Sequence, residues 1–290
     1  MENFFQFGAL LAATTFAGAG IYIKKINTKN FFSIPFYEGL FSLILMLLII
    51  TLFISWDSII HDNSIYSLRN FVLAATLSST GTMVYVYSLS KTQIGVVLTM
   101  AAALNIVTAS IYDYIVNSIS FDLYFILGGV LILVSIFMLN FKSFFSKSQI
   151  NIVGAFGGML TGILWGSAVF FNDNALIESN IFIASLVRSI TGIIVMLSVS
   201  YFVGRKIQFS EDLRSYRLFI ITVILLFISN IVWFVSLEYT SGSLTTIFGS
   251  SAPVFGIILG YIFLKEKITK IELLSIFIAL CGVLAIITNQ

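Results

Sequence analysis

The sequence predicts an all-α polytopic membrane protein: ten transmembrane helices arranged as two inverted five-helix repeats. Three observations carry this. Of the 290 residues, 59% are hydrophobic and only 10% charged; ten apolar segments follow one another; and the basic residues gather in alternate connections. Soluble domains run near a quarter charged, so a chain this poor in charge could not cover a water-facing surface.

The elements follow in order. A hydrocarbon core of about 30 Å takes roughly 20 apolar residues per helix. The first such segment is 5–23. Met1 and Glu2 precede it without a basic n-region, and Lys24 and Lys25 come after it, so it reads as a retained span, not a signal peptide. Segment 33–55 follows Lys29 and carries Glu38. The polar stretch Trp56 to Arg69 then leads into 70–89, and Lys91 separates that span from 94–116. Segments 121–141 and 152–172 flank Lys142 and Lys147. Segment 182–203 contains Arg188, and the stretch Gly204 to Arg217 introduces 218–237. Segment 243–264 is crowded with Gly, Ser and Thr around Pro253, which removes a backbone donor and is expected to kink the helix. Lys265 and Lys267 precede the last span, 270–288. Most connections are too short to hold a folded domain, so any chemistry is confined to the helices.

Lys24, Lys25, Lys29, Lys91, Lys142, Lys147, Arg205, Lys206, Arg214, Arg217, Lys265, Lys267 and Lys270 all fall on one side of this ten-span scheme. The other side has Arg69, beside Asp57 and Asp62. The positive-inside rule then places the odd-to-even connections in the cytoplasm and both termini outside an inner (cell) membrane. The net charge of +2, without a basic tract, argues against a nucleic-acid partner. A single cysteine, Cys281, excludes a disulfide framework within one chain and reads as packing. One histidine, His61, and no Cys/His cluster leave no expected metal site and no cofactor.

Two halves, 1–146 and 147–290, share an element order. Gly154, Gly158, Gly162 and Gly166 form a bare ridge in one span, and Gly8, Ala12, Phe16 and Gly20 fall on the same register in another. Small residues at this spacing let helices approach closely in lipid. "YVYSLSKTQIG" (Tyr85 to Gly95) falls on "WFVSLEYTSGS" (Trp233 to Ser243). Five spans per half is odd, so a duplicated half inserts upside down, a recurring plan of secondary transporters with a midplane site between the halves.

At this point the chain resembles the EamA family of the drug/metabolite transporter superfamily. The resemblance is carried by "GILWGSAVFF", by an Arg early in the seventh span, by "SLEYTSGSLTTIFGSSAPVFGIILGYIFLKEKIT" and by "LSIFIALCGVLAII". It covers essentially the whole chain, with the N-terminal half a degenerate copy: Ala19 stands where the Trp165 repeat would be, and Asn105 where Pro253 would be. It implies export or exchange of small metabolites, often amino acids, by alternating access. The related family often carries Arg at both matched positions of the second and seventh spans, so Glu38 is a departure and points to a cationic or zwitterionic cargo.

Charges inside spans cost about 2.5–3.5 kcal/mol at mid-helix, so each needs a reason. Glu38 and Arg188 occupy matched places in the two halves. The inversion is expected to put them in opposite leaflets, unpaired, with Glu38 taking a proton or a cationic group and Arg188 a carboxylate. Snorkelling to a helix end is the plainer alternative for each. Asn105 and Asn230 are mid-depth amides suited either to helix pairing or to substrate hydrogen bonds. Tyr85, Trp165 and Trp233 form an expected aromatic cage, against the commoner role of aromatic packing. Asp113, Asp173 and Glu238 read as solvated helix ends.

The leading functional expectation is a secondary active transporter of small metabolites such as amino acids or cationic or zwitterionic amines. It works without ATP, as no P-loop is present, with coupled protons or an exchanged metabolite, as a monomer or homodimer in the lipid bilayer. The rival is an intramembrane enzyme acting on lipid headgroups, for which Asp57, His61 and Asp62 are the available residues.

Overall fold

The computed structural model describes residues 7–23, 32–54, 56, 59, 63–89, 91, 94–139, 152–208, 213–264 and 269–287. Among these, the regular elements are all helical. In chain order they are α1 (Gly8–Ile23), α2 (Ser33–Phe53), α3 (Ile65–Leu89), α4 (Ile94–Ile115), α5 (Leu123–Leu139), α6 (Ile152–Leu176), α7 (Ile181–Val203), α8 (Leu213–Tyr239), α9 (Gly242–Gly249), α10 (Ala252–Leu264) and α11 (Lys270–Ile287).

Nine of the expected spans each correspond to one helix, and the ninth segment, 243–264, is divided into α9 and α10. The division falls at Ser250 and Ser251 rather than at Pro253, which is the second residue of α10. Proline is tolerated in a first helical turn, where its missing N–H has no partner to lose. The carbonyl of Gly249, four residues earlier, accordingly receives no bond from residue 253.

By length and apolarity, α2, α6, α7 and Ser215–Tyr239 of α8 are each sufficient to cross a membrane. The apolar stretches Gly8–Ile23, Leu123–Met138 and Leu273–Ile286 are shorter. Side chains on the outside are those hydrocarbon accepts and water does not: Leu48, Leu52 and Phe53 on α2, Ile194 and Phe202 on α7, Phe277 and Leu284 on α11 are all exposed. Hydroxyls within the helices return to their own backbone. Thr14, Thr82, Ser88, Ser189, Thr222 and Ser275 each donate to the carbonyl four residues earlier, which satisfies them without water. The chain is an integral membrane protein.

Small residues decide which helices pair. The α6 ridge lies against α4: a Cβ on Gly158 would meet Val97, on Gly162 the Ala101 carbonyl at 2.4 Å, and on Gly166 the Asn105 carbonyl at 2.8 Å. The contacts climb both helices together, so α4 and α6 run parallel. On its other side α6 meets α3 antiparallel, with Gly81 under Trp165 and Gly157 under Ser88. Helix α1 packs antiparallel on α8, Gly8 against the Val232 carbonyl and Ala12 accepting from Ser229 Oγ at 2.8 Å. Gly20, expected on the same packing ridge, has nothing within 4 Å. Helices α5 and α11 cross where Gly128 meets Gly282, and α2 crosses α7 where Gly39 meets the Ser189 carbonyl and Ile193.

One face of the bundle is tied by local chemistry. Asn180 caps α7, accepting from the N–H groups of Phe182 and Ile183, and its amide donates to the Ile59 carbonyl at 3.1 Å. Ser179 hydrogen-bonds Asn63, and Ser64 hydrogen-bonds Glu178. Gly204, at φ 66°, terminates α7 at the opposite end in the left-handed conformation that glycine adopts without a Cβ clash. Asp57, His61 and Asp62, like Lys24, Lys25, Lys29, Lys142, Lys147, Lys265 and Lys267, lie outside the described residues.

Candidate functional site

A cavity of about 230 Å³ lies between the helices, bounded by α1 to α4 and α6 to α10. Every site residue expected from the sequence lines it: Glu38, Tyr85, Asn105, Trp165, Arg188, Asn230, Trp233 and Pro253. It reaches Ile23, Ile34 and Pro35, at the face where α1 connects to α2. In the other direction it ends on Val169 and Phe234, part of a buried cluster with Phe71, Leu176 and Leu237.

The charged centre corrects one expectation. Arg188 Nη1 donates to Glu38 Oε1 at 3.1 Å, so the two residues pair directly. Depth counted from each residue's own helix end puts the two in opposite leaflets. The Gly39–Ser189 contact fixes where α2 and α7 cross, and the neighbouring positions 38 and 188 meet at that level. Neither snorkels to a helix end. Glu38 Oε1 also accepts from Asn230 Nδ2 at 2.9 Å and from Ser42 Oγ at 3.1 Å. The side chains are 9% exposed for Glu38 and 22% for Arg188. Among the described lining residues the formal charges are these two, and they cancel.

The aromatic residues divide between two walls. Tyr85 and Trp165 form a tilted pair with centroids 5.4 Å apart, and Phe16 meets Trp165 edge-on at 6.4 Å. Trp165 Nε1 donates to the Ser78 carbonyl at 3.3 Å, which fixes the indole plane. Trp233 stands apart, beside the break between α9 and α10, where a Cβ on Gly249 would lie 3.7 Å from its Nε1. Phe16, which the sequence places only on the packing register of α1, and Asn172 also line the cavity. Asn172 was legible: Trp165, Ala168, Val169 and Asn172 follow the i, i+3, i+4, i+7 spacing of one helix face.

Two supposed solvated helix ends are structural instead. Asp113 is 1% exposed; its Oδ2 accepts from the Ser243 N–H at 2.7 Å and its Oδ1 from Asn117 at 2.9 Å. Asp173 accepts from the Gly242 N–H. Both carboxylates, with Ser241 as N-cap, hold the N-terminus of α9, where unpaired amides and the helix dipole favour negative charge. Glu238 is exposed, as expected.

Residues 152–288 match the EamA-like transporter family. An uncharacterized transporter from Archaeoglobus fulgidus is 23% identical over 286 residues, covering 96% of each chain. A solved crystal structure superposes with a TM-score of 0.77 at 10% identity, over 98% of this chain and 96% of that one, which establishes that the fold is shared. The resemblance read from the sequence is thus met by a match to the family's model over residues 152–288, and the chain is a membrane transporter.

Proposed function

We propose that this protein is a secondary transporter carrying a small zwitterionic metabolite of amino-acid size, by alternating access between two inverted halves, 1–146 and 147–290. The observation that carries the reading is the Glu38–Arg188 pair on the cavity wall. A cavity whose charges cancel gives a net-charged solute no advantage, but it offers a zwitterion two sites in register. The cargo's carboxylate takes Arg188 and its ammonium takes Glu38, so that the pair is exchanged rather than broken and no charge is left uncompensated. Tyr85, Trp165 and Phe16 supply the apolar wall for its side chain.

The pattern of helix pairs supports the inverted halves. Exchanging each of the first five spans with its counterpart turns the α6–α3 pair into α1–α8, the α6–α4 pair into α1 with α9 and α10, and returns α2–α7 and α5–α11 to themselves. The exchanged pairs keep their relative direction. A hydroxyl-to-carbonyl bond ties α6 to α3 (Thr161 to Gly81) and another ties α8 to α1 (Ser229 to Ala12). Glu38 and Arg188, 150 residues apart, are matched positions meeting where a two-fold axis in the membrane plane would pass.

The test is counterflow in proteoliposomes. Vesicles preloaded with a single unlabelled amino acid should accumulate its labelled form transiently without ATP or an imposed gradient, and Glu38→Ala and Arg188→Ala should each abolish this. Absence of counterflow across a panel of amino acids, with simple amines or carboxylates exchanging instead, would contradict the zwitterion reading. The rival headgroup enzyme rests on Asp57, His61 and Asp62 and predicts covalent turnover lost in His61→Ala.

A further inference from the structure

Most polar groups around the cavity are already engaged. Glu38, Arg188, Asn230 and Ser42 bond one another, Thr82 and Thr246 return to their own helices, Ser229 reaches Ala12, and Trp165 reaches Ser78. Two lining side chains hold buried atoms that are not. Asn105 Oδ1 on α4 and Ser250 Oγ at the α9–α10 break are buried atoms without a hydrogen-bond partner. Leaving such a group unpaired costs about 1–3 kcal/mol, so each is a cost that a ligand can relieve. They belong to one neighbourhood. Ile106, next to Asn105, packs with Ile247 and Phe248, just ahead of Ser250. Gly249, whose carbonyl is deprived of a donor by Pro253, immediately precedes Ser250, and a Cβ on it would lie 3.7 Å from Trp233 Nε1.

Resting on the proposed zwitterion reading, we infer that Asn105, Ser250 and the Gly249 carbonyl form a second, uncharged polar subsite that reads the cargo's side chain. An amide and a hydroxyl each offer both a donor and an acceptor, and neither carries charge. Their complement is a neutral group with the same dual character: a carboxamide or a hydroxyl, not a hydrocarbon and not a second charge. Rotation about the last torsion of Asn105, or about the one torsion of Ser250, aims the buried atom at a ligand. The cargo is therefore a zwitterion with a neutral polar side chain.

The experiment compares L-glutamine with L-leucine, similar in size, by thermal shift of the purified full chain and by competition in counterflow. In the unmodified protein glutamine should be preferred by roughly fivefold or more, the worth of one neutral hydrogen bond. Ser250→Ala and Asn105→Leu should each reduce that preference while leaving leucine affinity unchanged or raised. Leucine equal to or better than glutamine in the unmodified protein would overturn the subsite and leave the zwitterion reading standing. No response to any zwitterionic amino acid would remove both. Because the first comparison needs no variant, a misfolded Asn105→Leu does not obscure the result.

Discussion

Arg188 Nη1 and Glu38 Oε1 lie 3.1 Å apart on the wall of the central cavity, joining α7 to α2. Removing one member of a buried pair leaves the other charge uncompensated, a cost of about 3–5 kcal/mol. Glu38→Ala and Arg188→Ala should each lower the thermal unfolding midpoint in detergent markedly. The double variant Glu38→Gln/Arg188→Gln should lose less than the sum of the two single losses. Additive losses would mean that the two residues do not interact.

The α4–α6 seam makes a sharper stability prediction. A methyl on Gly162 would lie 2.4 Å from a backbone oxygen, which cannot swing aside, so Gly162→Ala should cost about 1–3 kcal/mol. Gly20 has open space around it, so Gly20→Ala should leave stability unchanged or raise it by up to about 1 kcal/mol. Parallel thermal melts of the two variants check the contrast.

Asp113 holds the first turn of α9 through the Ser243 amide. Its replacement by Ala should cost about 1–2 kcal/mol, the usual worth of a helix-capping side chain. Hydrogen exchange of the α9 amides should rise in that variant, with α5 and α11 unaffected. Unchanged protection at Ser243 and Leu244 would show that the carboxylate does not hold this helix.

Trp165 serves the cavity with its face and the scaffold with its N–H. Trp165→Phe should keep cargo affinity within about threefold and lose about 0.5–1.5 kcal/mol of stability, one neutral hydrogen bond. Trp165→Ala should weaken cargo binding by tenfold or more, because the apolar wall itself is gone. Isothermal titration with the cargo identified by counterflow separates the two.

Much of this architecture was legible in the chain because lipid is a simple solvent. Apolar runs of about 20 residues bounded by lysines mark spans, and the helices begin and end within a few residues of those marks. The glycine ridge of α6 announced its own contact. What periodicity does not encode is where two helices cross. Depth counted from each helix end puts Glu38 and Arg188 in opposite leaflets, while Gly39 and Ser189 set the crossing. The same gap hid Asp113, whose partner amide lies 130 residues away. It also hid the break at Ser250 and Ser251, which a proline two residues later signals only approximately.

Access to the cavity from each side in turn is what the account most depends on. With Cys281 replaced by Ser, a single cysteine at Ala168, on the cavity wall, can be challenged in oriented vesicles with a membrane-impermeant maleimide. Alternating access predicts labelling from either side of the membrane, and slowing of both reactions by saturating cargo. Labelling from one side alone, indifferent to cargo, would contradict it.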